Sequence, residues 1–252
     1  MKLFTTTTAT ALTAATLLSA VPALAATVTV REGLDGYAGT QDTWFSERTT
    51  SGELNGFPEG SFIRSAQWAS ANQQALLRFD GVENMLTPGG TINSATLRLT
   101  VPSDITFSDG EANAVHQMLV DWAETDAYAA APWAGGATQH IDLDGVEAAA
   151  VATADSTGFA DGGGVIAQGT VIDLDVTAIV QNWADGDENY GFVFQSLGLA
   201  AGNGLFMASS EYVGADGEAA RPTLIIDGDV VPEPGSLALL ALGSLAVLRR
   251  RR

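Results

Sequence analysis

The sequence predicts an all-β fold: a two-sheet, jelly-roll-like β-sandwich with one short helix. Three observations carry this. Short runs rich in β-branched and aromatic residues recur between about residues 26 and 230. Gly, Asp, Asn and Pro separate them at turn-like spacing, and only one segment repeats with the 3.6-residue period of a helix. The chain has 252 residues of which 46% are apolar, enough for a sizeable core, and it contains no cysteine, so no disulfide framework supplies its stability.

Residues 1–25 carry one early positive charge, Lys2, then a Thr- and Ala-rich stretch running into Ala14-Ala15-Thr16-Leu17-Leu18, and they close on Ala23-Leu24-Ala25. This reads as a secretory signal peptide removed after Ala25. Its apolar run is too short and too rich in Thr to cross about 30 Å of hydrocarbon. Thr27-Val28-Thr29-Val30 alternates and opens the mature chain as a strand. Residues 74–80 form the next strand, followed by a Pro88-Gly89-Gly90 turn. In residues 92–101, Ala95, Leu97, Leu99 and Val101 share one face and Thr96, Arg98 and Thr100 the other, the pattern of a half-buried strand. Residues 114–120, 170–176, 190–195, 205–210 and 223–227 supply further strands. The helix covers residues 175–183, where Val176, Val180 and Trp183 fall at i, i+4 and i+7, with Asp175 as N-cap and Gly186 as the stop. It is expected to plug one end of the sandwich.

The chain ends in a different composition. Val231-Pro232-Glu233-Pro234-Gly235-Ser236 breaks the preceding structure, residues 235–248 form a short apolar helix, and Arg249, Arg250, Arg251 and Arg252 close the chain. The arginines stay on the cytoplasmic side of a membrane, and the run is short for a permanent span of about 17–25 residues, which suits transient insertion. The sequence therefore divides into residues 1–25, a domain over 26–230, and a terminal signal over 231–252. Formal net charge is −19, with 30 acidic and 11 basic residues. Five of the basic residues lie at the two ends, so the span 26–231 is near −23 and holds six arginines and no lysine. Such a surface excludes a phosphate-tracking nucleic-acid partner and attracts cations.

Val231-Pro232-Glu233-Pro234, the apolar helix and the basic tail resemble the PEP-CTERM sorting signal of Gram-negative bacteria. That resemblance implies export, transient anchoring in the inner membrane, and recognition by an exosortase acting near Pro232, Glu233 and Pro234. The domain carries a second resemblance. Ala75-Leu76-Leu77-Arg78-Phe79-Asp80 is followed by Ile92-x-Ser94-Ala95-Thr96-Leu97-x-Leu99, Val120-x-Trp122-x-Glu124 and Asp175-Val176-Thr177-x-x-Val180-Gln181-x-Trp183. Asn189-Tyr190-Gly191-Phe192, Ser209-Ser210-Glu211 and Arg221-Pro222-x-Leu224 complete the order. This series is similar to the DNRLRE domain, also grouped as carbohydrate-binding module family 96, over about residues 27–227. It implies a secreted β-sandwich that binds polysaccharide. Pro132 before Trp133 and an Ala-, Gly- and Asp-rich stretch over residues 144–169 depart from the family pattern.

Little in the sequence points to catalysis. There is no Cys, the histidines are His116 and His140, and no Gly-x-Ser-x-Gly elbow occurs, so neither a nucleophilic triad nor a zinc spacing emerges. Acidic pairs are too many for any one to be singled out as glycosidic, and a non-enzymatic protein is expected. Calcium is the one metal considered. Asp173-x-Asp175 puts two carboxylates on one strand face, a spacing that Asp142-x-Asp144 repeats. Asp185-x-Asp187-x-Asn189 alternates oxygen ligands, but Tyr190 and Ser196 stand where an EF-hand needs Gly and Glu. Sugar binding calls for aromatic platforms. Trp122 and Trp183 belong with the core, Trp133 with a sheet edge. Trp44 and Trp68 are the ligand candidates, together with Arg64 and Arg78, scarce cations able to pair with uronate groups. The expected function is binding or organising extracellular polysaccharide. The alternatives are a structural Ca²⁺-binding matrix protein and a polysaccharide-cleaving enzyme.

Overall fold

A computed structural model describes residues 25–48, 53–56, 61–68, 71–107, 113–124, 141–155, 164–196 and 203–231. In chain order the strands are β1 (Ala25–Arg31), β2 (Thr40–Arg48), β3 (Glu53–Gly56), β4 (Phe62–Trp68), β5 (Ala71–Phe79), β6 (Ile92–Thr100) and β7 (Ile105–Phe107). Then come β8 (Asn113–Gln117), β9 (Ala154–Asp155), β10 (Gly164–Ile166), β11 (Val171–Asp175), helix α1 (Thr177–Asp185), β12 (Phe192–Ser196), β13 (Asn203–Ala208) and β14 (Thr223–Asp229). The smaller main sheet runs β1-β14-β6-β11, all antiparallel. The larger holds eight strands along the path β13-β4-β5-β12-β8-β9, with β2 joining β5 and β3 joining β2. β7 and β10 form a separate two-stranded ladder.

The two main sheets face each other across one core. Leu97, Leu99, Ile172, Leu174, Leu224 and Ile226 come from the smaller sheet, and Ala75, Leu77, Phe79, Val115, Phe192, Phe194 and Met207 from the larger. Burial of each such large side chain contributes about 1.5–3 kcal/mol. Alternation in β11 is complete: Ile172 and Leu174 are buried while Val171, Asp173 and Asp175 are exposed. The larger sheet is different because its outer face is covered too. Phe45, Leu76 and Val193 point away from the main core and pack with Met118, Trp122, Ile141 and Ala148. Residues 73–79 of β5 are consequently all buried, a continuous run rather than an alternating one.

β5 organises this sheet. Gln73 pairs with both Ser46 of β2 and Ala66 of β4, so those strands lie on opposite edges of β5. Residues 74–77 pair with β2 and with β12, so β4 and β12 share the second edge in succession. α1 lies where the 3.6 period places it, with Val180 and Trp183 buried and Gly186 closing it at φ 112°. The N-cap position is Val176 rather than Asp175. The Asp175 carboxylate nevertheless accepts the Thr177 amide (2.9 Å) and hydroxyl (2.5 Å).

Strands β2, β3 and β4 were not legible as strands, because β2 turns Thr40, Asp42 and Ser46 to the same side as Trp44 and so lacks apolar alternation. β1 begins at Ala25, whose partner is Asp229. Residues 1–24, where a signal peptide is expected, the Pro232-Glu233-Pro234 motif and the C-terminal apolar run lie outside the described residues. No helix among the described residues is long and apolar enough to cross a membrane.

Candidate ligand-binding site

The β4–β13 pair and β2 bring two of the four sugar-site candidates together. Trp44 lies on the core side of β2, opposite Ala75, and is 5% exposed. Arg64 faces Phe206 across the β4–β13 ladder. Its guanidinium carbon sits 3.9 Å above the centroid of the Trp44 ring and 5.5 Å from that of Phe206. Phe62, two residues earlier on the same side of β4, stacks against Trp44 at 6.2 Å and 22° and tilts against Phe206 at 5.5 Å and 47°. Phe62, Arg64 and Phe206 are all part-exposed, and Trp44 is the floor beneath them.

This guanidinium is electrostatically distinctive. No carboxylate among the described residues pairs with it, and its Nε is enclosed without an acceptor. Burial pulls its pKa down from the usual arginine value, yet an arginine remains cationic at neutral pH. The cation–π contact with Trp44 contributes about 0.5–2 kcal/mol and holds the fork in place. The outward N–H donors stay available to a planar anion.

The other two candidates are placed differently. Arg78, on the outer face of β5, is neutralised by Asp80 (Nε–Oδ1, 2.5 Å) and Asp121 (Nη1–Oδ1, 2.7 Å), and its guanidinium lies 5.2 Å from the Trp122 ring centroid. Trp68 ends β4 at the tight connection to Ala71 of β5, and its side chain lies outside the described part. Trp122 and Trp183 are buried, the former donating its indole N–H to the Tyr190 carbonyl at 2.8 Å.

The acidic candidates for calcium are largely engaged within the fold. Asp173 forms a two-pronged ion pair with Arg98, both contacts 2.7 Å, which lowers its pKa. The carboxyl of Asp175 is lowered by the two Thr177 hydrogen bonds. Asp185 accepts from the Gln181 side chain at 3.0 Å, and Asp187 is exposed beyond α1. Asn189 is a clasp: its amide donates to the Phe79 carbonyl and to Glu83, while its Oδ1 accepts the Gly191 N–H.

A different set of carboxylates converges. Asp42, Glu124 and Glu211 each place an oxygen within 4.8 Å of the others, so together they could hold a cation. Asp42 is 2% exposed, and its Oδ2 accepts the Ser210 N–H at 2.6 Å. Burial first, and then the negative charge of Glu211, push its pKa well up. The Ser210 hydroxyl donates to Glu211. His116 is buried with Nδ1–H donating to the Ala149 carbonyl at 2.7 Å, and burial lowers its pKa. A concavity of about 380 Å³ beside α1 is bordered by Ile92, Asp175, Thr177 and Gln181, and its polar groups are already bonded to one another or to main chain.

The tail has a counterpart among known families. Residues 230–252 match the PEP-CTERM protein-sorting motif. Such motifs are recognised by exosortases, and the chain is accordingly a secreted or cell-surface protein of the Gram-negative type. No family match carries the DNRLRE resemblance of the sandwich. Among curated proteins none matches the chain. Phe62 and Phe206 escaped the sequence reading because each is one aromatic in a strand whose partner comes from far along the chain. So did Asp42, Glu124 and Glu211, which lie up to 169 positions apart.

Proposed function

We propose that this exosortase-sorted protein is non-catalytic and binds or organises extracellular polysaccharide through the Phe62–Arg64–Phe206 patch. The reading is supported above all by one observation. In a domain with a large excess of acid, a half-buried guanidinium lies over an indole and beside a part-exposed phenyl ring, with no carboxylate partner among the described residues. Flat rings take the apolar face of a pyranose, and the fork takes a carboxylate or sulfate oxygen pair.

The test is a polysaccharide pull-down with the secreted protein, comparing wild type with Arg64→Gln and Phe206→Ala. Retention on an acidic glycan should fall at least roughly tenfold for Arg64→Gln, the equivalent of about 1.4 kcal/mol, with the melting temperature nearly unchanged. Phe206→Ala should weaken neutral and acidic glycans alike. Equal retention of all three proteins would remove the patch from consideration. Release of reducing ends would overturn the non-catalytic reading.

A second reading, a structural Ca²⁺-binding matrix protein, is favoured by the Asp42, Glu124 and Glu211 group. It predicts that Ca²⁺ raises the melting temperature while a glycan array stays blank.

A further inference from the structure

The sorting motif begins inside the folded sandwich. Of the residues that match it, Val230 is 3% exposed, belongs to the main core and forms an antiparallel bridge with Leu86. The Val231 N–H donates to the Met85 carbonyl at 2.9 Å. Two residues earlier, the Asp229 carbonyl accepts the Thr87 N–H and the Asp229 N–H donates to the Thr91 carbonyl, each at 2.9 Å. The Asp229 carboxylate also accepts the Thr91 N–H at 3.0 Å. Pro232 follows at once, so the Glu233 Cα lies at most about 7.6 Å from that of Val231.

An enzyme that takes up an extended peptide bonds to its main-chain N–H and C=O groups. Pro232 and Pro234 have no N–H to offer. The nearest donors on the domain side of the motif are those of Val231 and its neighbours, and the fold has already used the N–H groups of Val231 and Asp229.

We infer that the end of β14, residues 229–231, is a strap that must leave residues 85–91 before the exosortase can engage Pro232-Glu233-Pro234. Access to the sorting motif is thus governed by a local opening of the sandwich. Opening gives up three main-chain hydrogen bonds and the burial of Val230, so the receptive form is a minor one under native conditions. The inference rests on the exosortase reading of the tail and is independent of glycan binding.

The chain has no cysteine, so a Leu86→Cys/Val230→Cys pair meets no other thiol of its own chain, and the monomer oxidised at that pair has the strap locked down. A second variant inserts a spacer of about eight Gly and Ser residues between Val231 and Pro232, about 26 Å of extended chain, and touches no packed residue. Full-length precursors are expressed in a host carrying the exosortase, and shortening at the C-terminal end is followed by intact mass, full mass being that of the chain after loss of residues 1–25 alone. The oxidised pair should stay at full mass, and a reductant should restore shortening. The spacer should speed shortening beyond wild type and rescue the oxidised pair. Shortening of the oxidised pair at the wild-type rate, or a spacer without effect on the rate, overturns the strap. Should the cysteine pair fail to fold, the spacer variant alone decides. A wild-type chain that keeps its full mass overturns the exosortase reading itself and the strap with it.

Discussion

Asp42 is an acid on the core side of a strand, and its hydrogen bonding does not offset its burial. With a folded pKa well above the ordinary 3.8, the native state holds a proton that the unfolded chain gives up. Stability from this group is therefore greatest below about pH 4 and is lost as pH rises through the folded value. Asn keeps an acceptor for the Ser210 N–H and removes the charge. In EDTA, Asp42→Asn should melt at the same temperature as wild type near pH 4 and above it at pH 7 to 8, by a margin that grows with pH. Thermal melts across that range check this, and a constant margin would refute the linkage. Adding Ca²⁺ should reverse the order at pH 7 if the three carboxylates bind it, because only the wild type keeps the buried charge. Trp44 illustrates the converse: an aromatic that looked like a platform is the floor of one, and truncating it to Ala would cost about 3–5 kcal/mol of folding before reporting anything about sugar.

Among the elements, β12 depends on a single backbone geometry at its start. Gly191 has φ 77°, and a Cβ there would sit 2.3 Å from the Leu77 carbonyl oxygen. Neither the left-handed backbone nor the close approach to β5 accommodates a side chain. Gly191→Ala should destabilise by about 3 kcal/mol or more, measured as a drop in the urea midpoint. A change below about 1 kcal/mol would show that β12 can slide relative to β5.

Which elements could be read from sequence follows from what each strand faces. β6 and β11 have one wet face, so their alternation is plain, and α1 carries an unbroken seam ending in glycine. β2 and β4 escaped because β2 mixes Asp42 and Ser46 with Trp44 on its core side. The candidate site was legible to the same degree. Arg64 and Trp44 stood out as a scarce cation and an aromatic outside the recurring motifs. That one would lie on the other, or that Asp121 would join the neighbouring Asp80 in neutralising Arg78, depends on contacts across 20 and 43 positions and on no local pattern.

At the scale of the whole molecule, charge is the dominant long-range term. With a formal net charge of −19 the native state repels itself, and added salt shortens the reach of that repulsion from about 30 Å at 0.01 M to about 10 Å at 0.1 M. Paired arginines gain little from low salt. The Arg98–Asp173 pair is nearly half exposed on both sides, which limits it to about 0–1 kcal/mol. The melting temperature should therefore rise steadily as NaCl is added, in calorimetry at constant pH. A fall would mean that specific ion pairs outweigh the net charge.

The pairing of β1 with β14 sets the order in which this molecule can be completed. Among the described residues β1 pairs within its sheet with β14 alone, and Ala25 meets Asp229 across about 200 residues of intervening chain. At about 5–20 residues per second of synthesis, the first strand made waits roughly 10 s or longer for the last. Throughout that interval its Thr-Val-Thr-Val edge is an unpaired template, and whatever escorts the nascent chain must keep it from another copy.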